Sequence, residues 1–113
     1  MKTIIAGSRG ITNPLILLQA VKESDFDITE VFCGLARGVD SLGELWALTH
    51  DVPVRYFPAD WAKYGRSAGY RRNEEMAREA DSLIAIWDGS SPGTKHMINL
   101  AEKHGVTTYT LHI

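Results

Sequence analysis

The sequence predicts a three-layer α/β fold in which helices cover both faces of a five-stranded parallel sheet. Short apolar runs alternate along the chain with segments of helical periodicity, and strands separated by helices pair in parallel through right-handed crossovers. Three glycine-rich turns each follow a predicted strand and precede a predicted helix. In such sheets the ligand crevice lies beyond the carboxyl ends of the strands, so the turns mark the edge where we expect a site.

Five strands are predicted from short runs rich in apolar and β-branched residues. Glycine, proline or polar residues bound these runs and interrupt regular structure. The predicted strands cover residues 3–6, 30–33, 54–57, 82–87 and 107–111. We expect the order 3-2-1-4-5 across the sheet, which puts the reversal of chain direction between the first and fourth strands.

Two helices are predicted between the first three strands. Asn13 is a favoured helix cap, and Pro14 suits the first helical position. The apolar positions that then follow the helical repeat are Leu15, Leu18 and Val21. The second helix begins near Val39 or Asp40. One face of this helix is predicted to carry Leu42, Leu45, Trp46 and Thr49.

The second half of the chain is predicted to contain a loop and two further helices. Residues 59–68 lose periodicity and are rich in aromatic, charged and glycine residues, which is typical of a loop that covers a site as a lid. A third helix is predicted at residues 69–80, with Met76, Ala77 and Ala80 facing inward. The last helix covers residues 93–104 and ends at Gly105.

Length and composition indicate one globular domain over residues 1–113, because the chain is long enough for a single core. No stretch has the length of a membrane span, and the N-terminus lacks the pattern of a signal peptide, so we expect a cytoplasmic location. The sole cysteine, Cys33, lies in an apolar run and is expected to be buried rather than catalytic.

The charge balance disfavours a broad nucleic-acid surface. Proteins that follow a phosphate backbone usually carry a basic excess, whereas the net charge of this chain is −2. Positive charge is nevertheless concentrated in or beside the predicted loops, at Arg9, Arg37, Arg66, Arg71 and Arg72. Nucleic acid is therefore not the expected partner, while a small anion is.

The three glycine-rich turns, at residues 7–10, 34–40 and 88–94, are typical of an anion site. Glycine lets the backbone approach a ligand, and a helix N-terminus offers free N–H groups and partial positive charge. We expect all three turns at one sheet edge, facing a phosphate. The candidate ligand-binding residues in them are Gly7, Ser8, Arg9, Gly34, Arg37, Gly38, Asp40, Gly89, Ser90, Gly93 and Thr94.

Two sets of these candidates have alternative roles. Arg37 lies between glycines and suits a bidentate clamp on phosphate, but it also fits a solvated arginine before a helix. The hydroxyl groups suit either phosphate oxygens or helix capping, and they belong to Ser8, Ser90, Ser91 and Thr94.

Standard nucleotide fingerprints do not fit the turns. The first turn lacks the third glycine of the dinucleotide motif, and the second strand ends in Cys33 and Gly34 instead of a ribose-binding carboxylate. No Gly-Lys-Ser/Thr phosphate loop occurs. The sequence thus disfavours both an NAD oxidoreductase and a Walker-type NTPase.

Four runs in sequence order resemble the SLOG superfamily, specifically its small YspA-like branch. The runs are residues 6–9, 34–40, 71–81 and 89–94, and the likeness extends from Lys2 to about Val106. The superfamily contains the Lonely-Guy phosphoribohydrolases and the DNA-processing protein A domain. The resemblance implies a Rossmann-like fold that holds a nucleotide, nucleotide sugar or related phosphorylated ligand across the glycine loops.

The resemblance also implies roles for particular residues. Arg72 matches the arginine that Lonely-Guy enzymes place beside the ligand, with Asn73 as its neighbour in the site. Gly93 and Thr94 match the glycine-threonine step that opens the following helix. Those enzymes carry a catalytic glutamate three residues after the threonine, where this chain has Met97. Methionine cannot accept a proton, so that mechanism does not transfer intact.

If the chain cleaves an N-glycosidic bond, another carboxylate must act. Asp40 at a helix start and Asp88 at a strand end are the catalytic candidates, followed by Asp60 in the predicted lid. Each also fits a helix cap or turn residue. The aromatic residues Trp61, Tyr64 and Tyr70 suit either stacking on a base or a subunit interface.

These observations favour a nucleotide-derived ligand binder that acts as a sensor or sequestering protein. The alternative is a hydrolase or transferase that acts on a nucleoside phosphate or nucleotide sugar. A nucleic-acid-processing role is disfavoured by the charge balance. We assign no metal to His96 and His104, which lie eight residues apart, and expect no cofactor. A homo-oligomer is compatible with the tryptophans at positions 46, 61 and 87.

Overall fold

The computed structural model describes residues 1–34 and 38–113 and has a five-stranded, all-parallel sheet. The strands are β1 (Lys2–Gly7), β2 (Glu30–Cys33), β3 (Val54–Tyr56), β4 (Ser82–Trp87) and β5 (Thr107–His112). The helices are α1 (Pro14–Ser24), α2 (Val39–Thr49), α3 (Trp61–Tyr64), α4 (Ala68–Glu79) and α5 (Pro92–Lys103). The strand order β3-β2-β1-β4-β5 confirms the predicted α/β fold and puts the switch point between β1 and β4.

The sheet is buried on both faces, as parallel sheets usually are. Successive residues of the central strand β1 point to opposite sides. Ile4 belongs to a cluster with Met76 of α4 and Met97 of α5. Ile5 belongs to a second cluster that includes apolar side chains of α1 and α2. The sheet therefore lies between two helical layers, which confirms the three-layer architecture.

The predicted start of α1 is confirmed, and its predicted apolar face is right only in part, because Val21 packs partly against the core. Asn13 caps the helix, because its Oδ1 accepts the Leu15 N–H at 3.1 Å. However, the Leu15 and Leu18 side chains are 67% and 45% exposed, while Leu17 and Ala20 face the core. Both sets recur at helical spacing, so periodicity alone does not choose between them, and the smaller Ala20 permits the closer approach to the sheet.

The predicted inward face of α2 is also right only in part, since Leu42 and Trp46 pack partly against the core. Leu45 and Thr49 are exposed, whereas Gly43 and Ala47 lie against the sheet. A Cβ placed on Gly43 would lie 3.0 Å from side-chain atoms of Ile5. The helix packs too closely against the sheet at Gly43 for a larger side chain to fit there. Leu45 therefore lies on the outward face of the helix.

The segment predicted as a loop at residues 59–68 contains short helices instead. α3 is followed by a single 3₁₀ turn, Gly65–Ser67. Asp60 starts α3 because its Oδ1 accepts the Lys63 N–H at 3.1 Å. The segment stays largely exposed, since side-chain capping and not apolar burial orders it.

We expect the Gly7→Ala variant to lose about 3 kcal/mol of unfolding free energy, the upper end of the usual cost of overpacking. A Cβ at this position would lie 2.3 Å from the Ile86 carbonyl oxygen and 2.7 Å from Val39 Cγ2. Urea denaturation measures the loss. Gly10→Ala is the matched control in the same turn, because a Cβ there meets no atom within 4 Å. Equal stability of the two variants would contradict this packing.

Candidate functional site

A crevice with two lobes opens beyond the carboxyl ends of β1, β2 and β4. The outer lobe, of about 690 Å³, lies beside the 58–70 segment, and the inner lobe, of about 500 Å³, lies between β1 and the start of α5. Among the residues that the structure describes, four line both lobes, namely Arg9, Arg72, Asn73 and Gly93. The two lobes therefore meet at a pair of arginines.

Glycines let the first two turns of the chain touch beside this crevice. Gly38 has a φ of +74°, and a Cβ on it would lie 2.5 Å from the Arg9 carbonyl oxygen and 2.6 Å from that of Ser8. A side chain at this position would separate the two turns. The structure thus brings the predicted residues Gly7, Ser8 and Arg9 next to the start of α2.

Arg72 lies at the centre of the site and joins several elements. Its Nη1 donates to the carbonyl oxygen of Gly34 at the end of β2, and its Nε donates to Asn73 Oδ1 at 2.9 Å. A Cβ on Gly34 would lie 2.7 Å from Arg72 Nη1 and 2.9 Å from Asp40 Oδ2. A side chain at Gly34 would therefore displace the guanidinium or the carboxylate from its present position.

The electrostatics of Arg72 follow from its partial burial. Burial lowers the pKa of Arg72, and the negative charge of Asp40 works against that effect. The neighbouring Arg9 adds positive charge and lowers the same pKa further. An arginine is still a cation at neutral pH, so the junction of the lobes carries positive charge that is only partly hydrated.

Arg71, the neighbour of Arg72, lines neither lobe as described. Its Nε donates to Ser67 Oγ at 3.1 Å, and its guanidinium packs over the Tyr64 ring at 4.3 Å. Arg71 and Tyr64 therefore contact each other, and neither residue is part of the lining of a lobe.

Asn73 connects Arg72 with a histidine that the sequence did not assign to the site. The amide of Asn73 is 8% exposed, and its Nδ2 lies 3.3 Å from His96 Nδ1. The His96 ring packs on Tyr70, with the ring centroids 4.4 Å apart. Burial lowers the pKa of His96, so this ring is neutral at pH 7. Asn73 and His96 are 23 positions apart in the chain, so the sequence gives no signal of this contact.

The third turn is shaped by Asp88. Its Oδ1 accepts the N–H groups of Ser90 and Ser91 at 2.9 and 2.8 Å, and these bonds lower the pKa of the exposed Asp88 carboxylate. Gly89 has a φ of +86° and lies against His112. The carboxylate thus folds the loop ahead of α5, while its predicted catalytic role stays a prediction.

The hydroxyl groups of Ser8 and Thr94 are placed at the inner lobe. Both side chains are buried, at 3% and 4% exposure, and the Thr94 hydroxyl lies 3.2 Å from that of Ser91. Ser90 is exposed, and its hydroxyl donates to Asp88 instead. The first turn of α5, including Gly93, lines the same lobe, and the first N–H groups of a helix lack intrahelical partners.

Of the remaining residues that the sequence singled out, some line the inner lobe and others do not. Asp40 is 7% exposed in the first turn of α2 and lines the inner lobe. Met97, 1% exposed, contributes an apolar surface to this lobe. Asp60 caps α3 and is not part of the lining of either lobe. Arg37 lies outside the described residues, so its predicted phosphate clamp stays a prediction.

Two exposed aromatic side chains line the outer lobe. Trp61 is 57% exposed and Tyr70 is 51% exposed, although both are large apolar groups. Such exposure in a concave site is typical of a surface that a ligand covers.

Within residues 1–34 and 38–113, no group of three or more histidine, cysteine or acidic side chains is arranged to hold a metal ion. No helix in this part of the chain is long and apolar enough to cross a membrane.

Comparison with known proteins adds two matches. The family model described as "YspA, cpYpsA-related SLOG family" matches residues 1–64. The Gene 61 protein of Mycobacterium phage D29 is 32% identical over 115 residues, a match that covers 93% of this chain and 91% of the phage protein. No solved structure matches the chain significantly.

We expect Asp88→Ala to lower the melting temperature most at neutral pH. The folded-state pKa of Asp88 is lowered, so its stabilising effect is present above the ordinary value of about 3.9 and is lost as the pH falls through the folded-state pKa. Melting curves between pH 7 and pH 2 should therefore converge for wild type and variant. Ser90→Ala, which keeps both backbone hydrogen bonds, is the control. A gap that stays constant over this range would contradict the assignment.

Proposed function

The chain belongs to the YspA, cpYpsA-related SLOG family, a family linked to nucleotide binding, and we propose that its crevice binds a nucleotide, nucleotide sugar or nucleotide-derived signal. In this proposal the protein acts as a sensor or sequestering protein. The observation that carries it is the position of Arg72 at the junction of two chemically different lobes. One lobe suits a phosphate, and the other suits a base.

The inner lobe supplies the groups that a phosphate requires. The first turn of α5 lines the lobe, and the N-terminus of a helix stabilises a negative charge that lies next to it. Ser8 and Thr94 place hydroxyl groups there. Arg9 and Arg72 supply positive charge, and the carboxylates of Asp40 and Asp88 line the same lobe. An arginine that is partly withdrawn from water interacts more strongly with a phosphate than a fully hydrated one does.

The outer lobe supplies aromatic side chains for a base, and the cationic side chains of Arg9, Arg66 and Arg72 line it as well. Its volume of about 690 Å³ lies within the usual range for small-molecule sites, about 300–1,000 Å³. Trp61 and Tyr70 line this space and are more than half exposed. A phosphate held at the arginines would leave the rest of a nucleotide in reach of these rings.

Met97 favours binding over turnover. It occupies the position at which the resemblance to Lonely-Guy enzymes calls for a catalytic glutamate, and a thioether transfers no proton. One observation favours a hydrolase or transferase as a second candidate. Asp40 puts a carboxylate in the inner lobe, close to the guanidinium of Arg72.

We expect the purified protein to bind AMP or a related nucleotide, and Arg72→Ala and Arg9→Ala each to weaken binding about tenfold or more, the size expected for losing a charge-assisted hydrogen bond. Isothermal titration against a panel of nucleotides and nucleotide sugars measures this. Arg71→Ala is the matched control, since Arg71 bonds to Ser67 outside both lobes.

Circular dichroism of each variant separates lost binding from lost folding. Absence of binding across the panel, or equal losses in the Arg71 and Arg72 variants, would contradict the proposal. Chromatography of the same mixtures detects free base, and its release by wild type but not by Asp40→Asn would establish the second candidate function.

We expect the base to be recognised by Trp61. AMP should quench tryptophan fluorescence and bind at least about tenfold more tightly than ribose 5-phosphate, because base–aromatic stacking contributes about 1–3 kcal/mol. Trp61→Ala should remove most of that difference. Trp46→Phe is the control, because Trp46 packs partly against the core beneath α2. Equal affinities of wild type for the two ligands would show that the outer lobe does not hold a base.

A further inference from the structure

We propose that His96 is a positioning residue that holds Arg72 in place through Asn73, and that ligand binding requires the uncharged imidazole. The inference rests on the proposed nucleotide site, because it concerns the orientation of the arginine that faces the phosphate. His96 lines neither lobe as described and acts only through its neighbours.

The donors and acceptors in this chain of contacts allow only one arrangement. Arg72 Nε can donate but not accept, so the Asn73 oxygen must face it. The distance between these two atoms is 2.9 Å. The Asn73 nitrogen, a pure donor, then faces His96 Nδ1 at 3.3 Å. His96 Nδ1 must therefore be the acceptor, which places the single proton of the neutral ring on Nε2.

Protonation of His96 breaks this arrangement. It adds a hydrogen to Nδ1, which then points at the NH₂ group of Asn73. Rotating the Asn73 amide by half a turn only moves the conflict, because the NH₂ group would then face the N–H of Arg72. Asn73 is 8% exposed, so water offers little relief for two opposed donors. The imidazolium thus releases Arg72 from its partner.

The surroundings of His96 keep it uncharged at neutral pH. Burial lowers the pKa of His96, while the negative charge of Glu74 on α4 opposes that effect. Tyr70 covers one side of the ring, and the adjacent Lys95 on α5 is exposed. Glu74 also forms an ion pair with the exposed Arg78 at 3.0 Å, and this ion pair offsets part of the negative charge of Glu74.

The sign of the pH effect separates this mechanism from simple attraction. If the neutral ring is required, affinity for a phosphate ligand falls as the pH drops through the lowered pKa of His96, below its ordinary value of about 6.5. If instead the imidazolium attracted the phosphate directly, affinity would rise over the same interval.

The first experiment uses the protein without ligand. Nitrogen-15 NMR of the histidine rings should show His96 as the Nε2–H tautomer at pH 7.5. The Arg72 Nε–H signal and the Asn73 side-chain amide signals should shift with the same midpoint as His96. An Nδ1–H tautomer, or Arg72 signals that ignore the titration of His96, would overturn the proposal.

The second experiment measures AMP affinity from pH 5 to pH 8 in variants of this position. In His96→Asn, the Oδ1 can accept from Asn73 but does not titrate, whereas His96→Leu offers no acceptor. We expect His96→Asn to bind AMP like wild type at pH 7.5 and about tenfold more tightly than wild type at pH 5. His96→Leu should bind about tenfold more weakly than wild type at pH 7.5.

Ratios of variant to wild type cancel the titration of the AMP phosphate itself. His104→Asn is the matched control, since His104 lies near Glu74 at 3.8 Å, at the far end of α5. A His96→Asn to wild-type ratio that stays flat with pH would overturn the proposal. If no nucleotide binds, the proposed function fails, while the ligand-free NMR coupling still decides the positioning role of His96.

Discussion

The guanidinium of Arg72 ties together parts of the crevice that arise from different elements. It bonds to the end of β2 through Gly34 and to Asn73 on its own helix, and it lies beside Asp40 of α2. A partly buried cation is stable only if such partners replace the water it loses. The positions of the surrounding elements are therefore constrained by one side chain that also faces both lobes.

Close packing makes this constraint possible. Gly34 leaves space for the arginine, and Gly38 lets the second turn rest on the carbonyl groups of the first. At the other side of the crevice, Asp88 folds the third turn and so sets where α5 begins. Gly34 and Gly38 thus act by removing bulk beside the crevice, which leaves the charged and hydroxyl groups facing a shared space.

Local signals in the sequence predicted the start of α1 and the positions of the strands well, because these features depend on residues that are close together in the chain. Asn13 with Pro14 marked the start of α1, and short apolar runs marked every strand. Helix faces were less predictable, since Leu15 and Leu17 both fit a helical repeat and only tertiary packing decides between them. The contacts of Arg72 with Gly34 and of Asn73 with His96 join residues far apart in the chain, so no pattern of spacing could reveal them.

We propose that phosphate and base occupy the two lobes on either side of Arg72. The most direct test is a crystal structure of the protein with the nucleotide that it retains on purification. We expect phosphate oxygens within hydrogen-bond distance of Arg72 and of the first turn of α5, with the base against Trp61 or Tyr70. A nucleotide bound elsewhere, or one whose phosphates avoid Arg72, would contradict it.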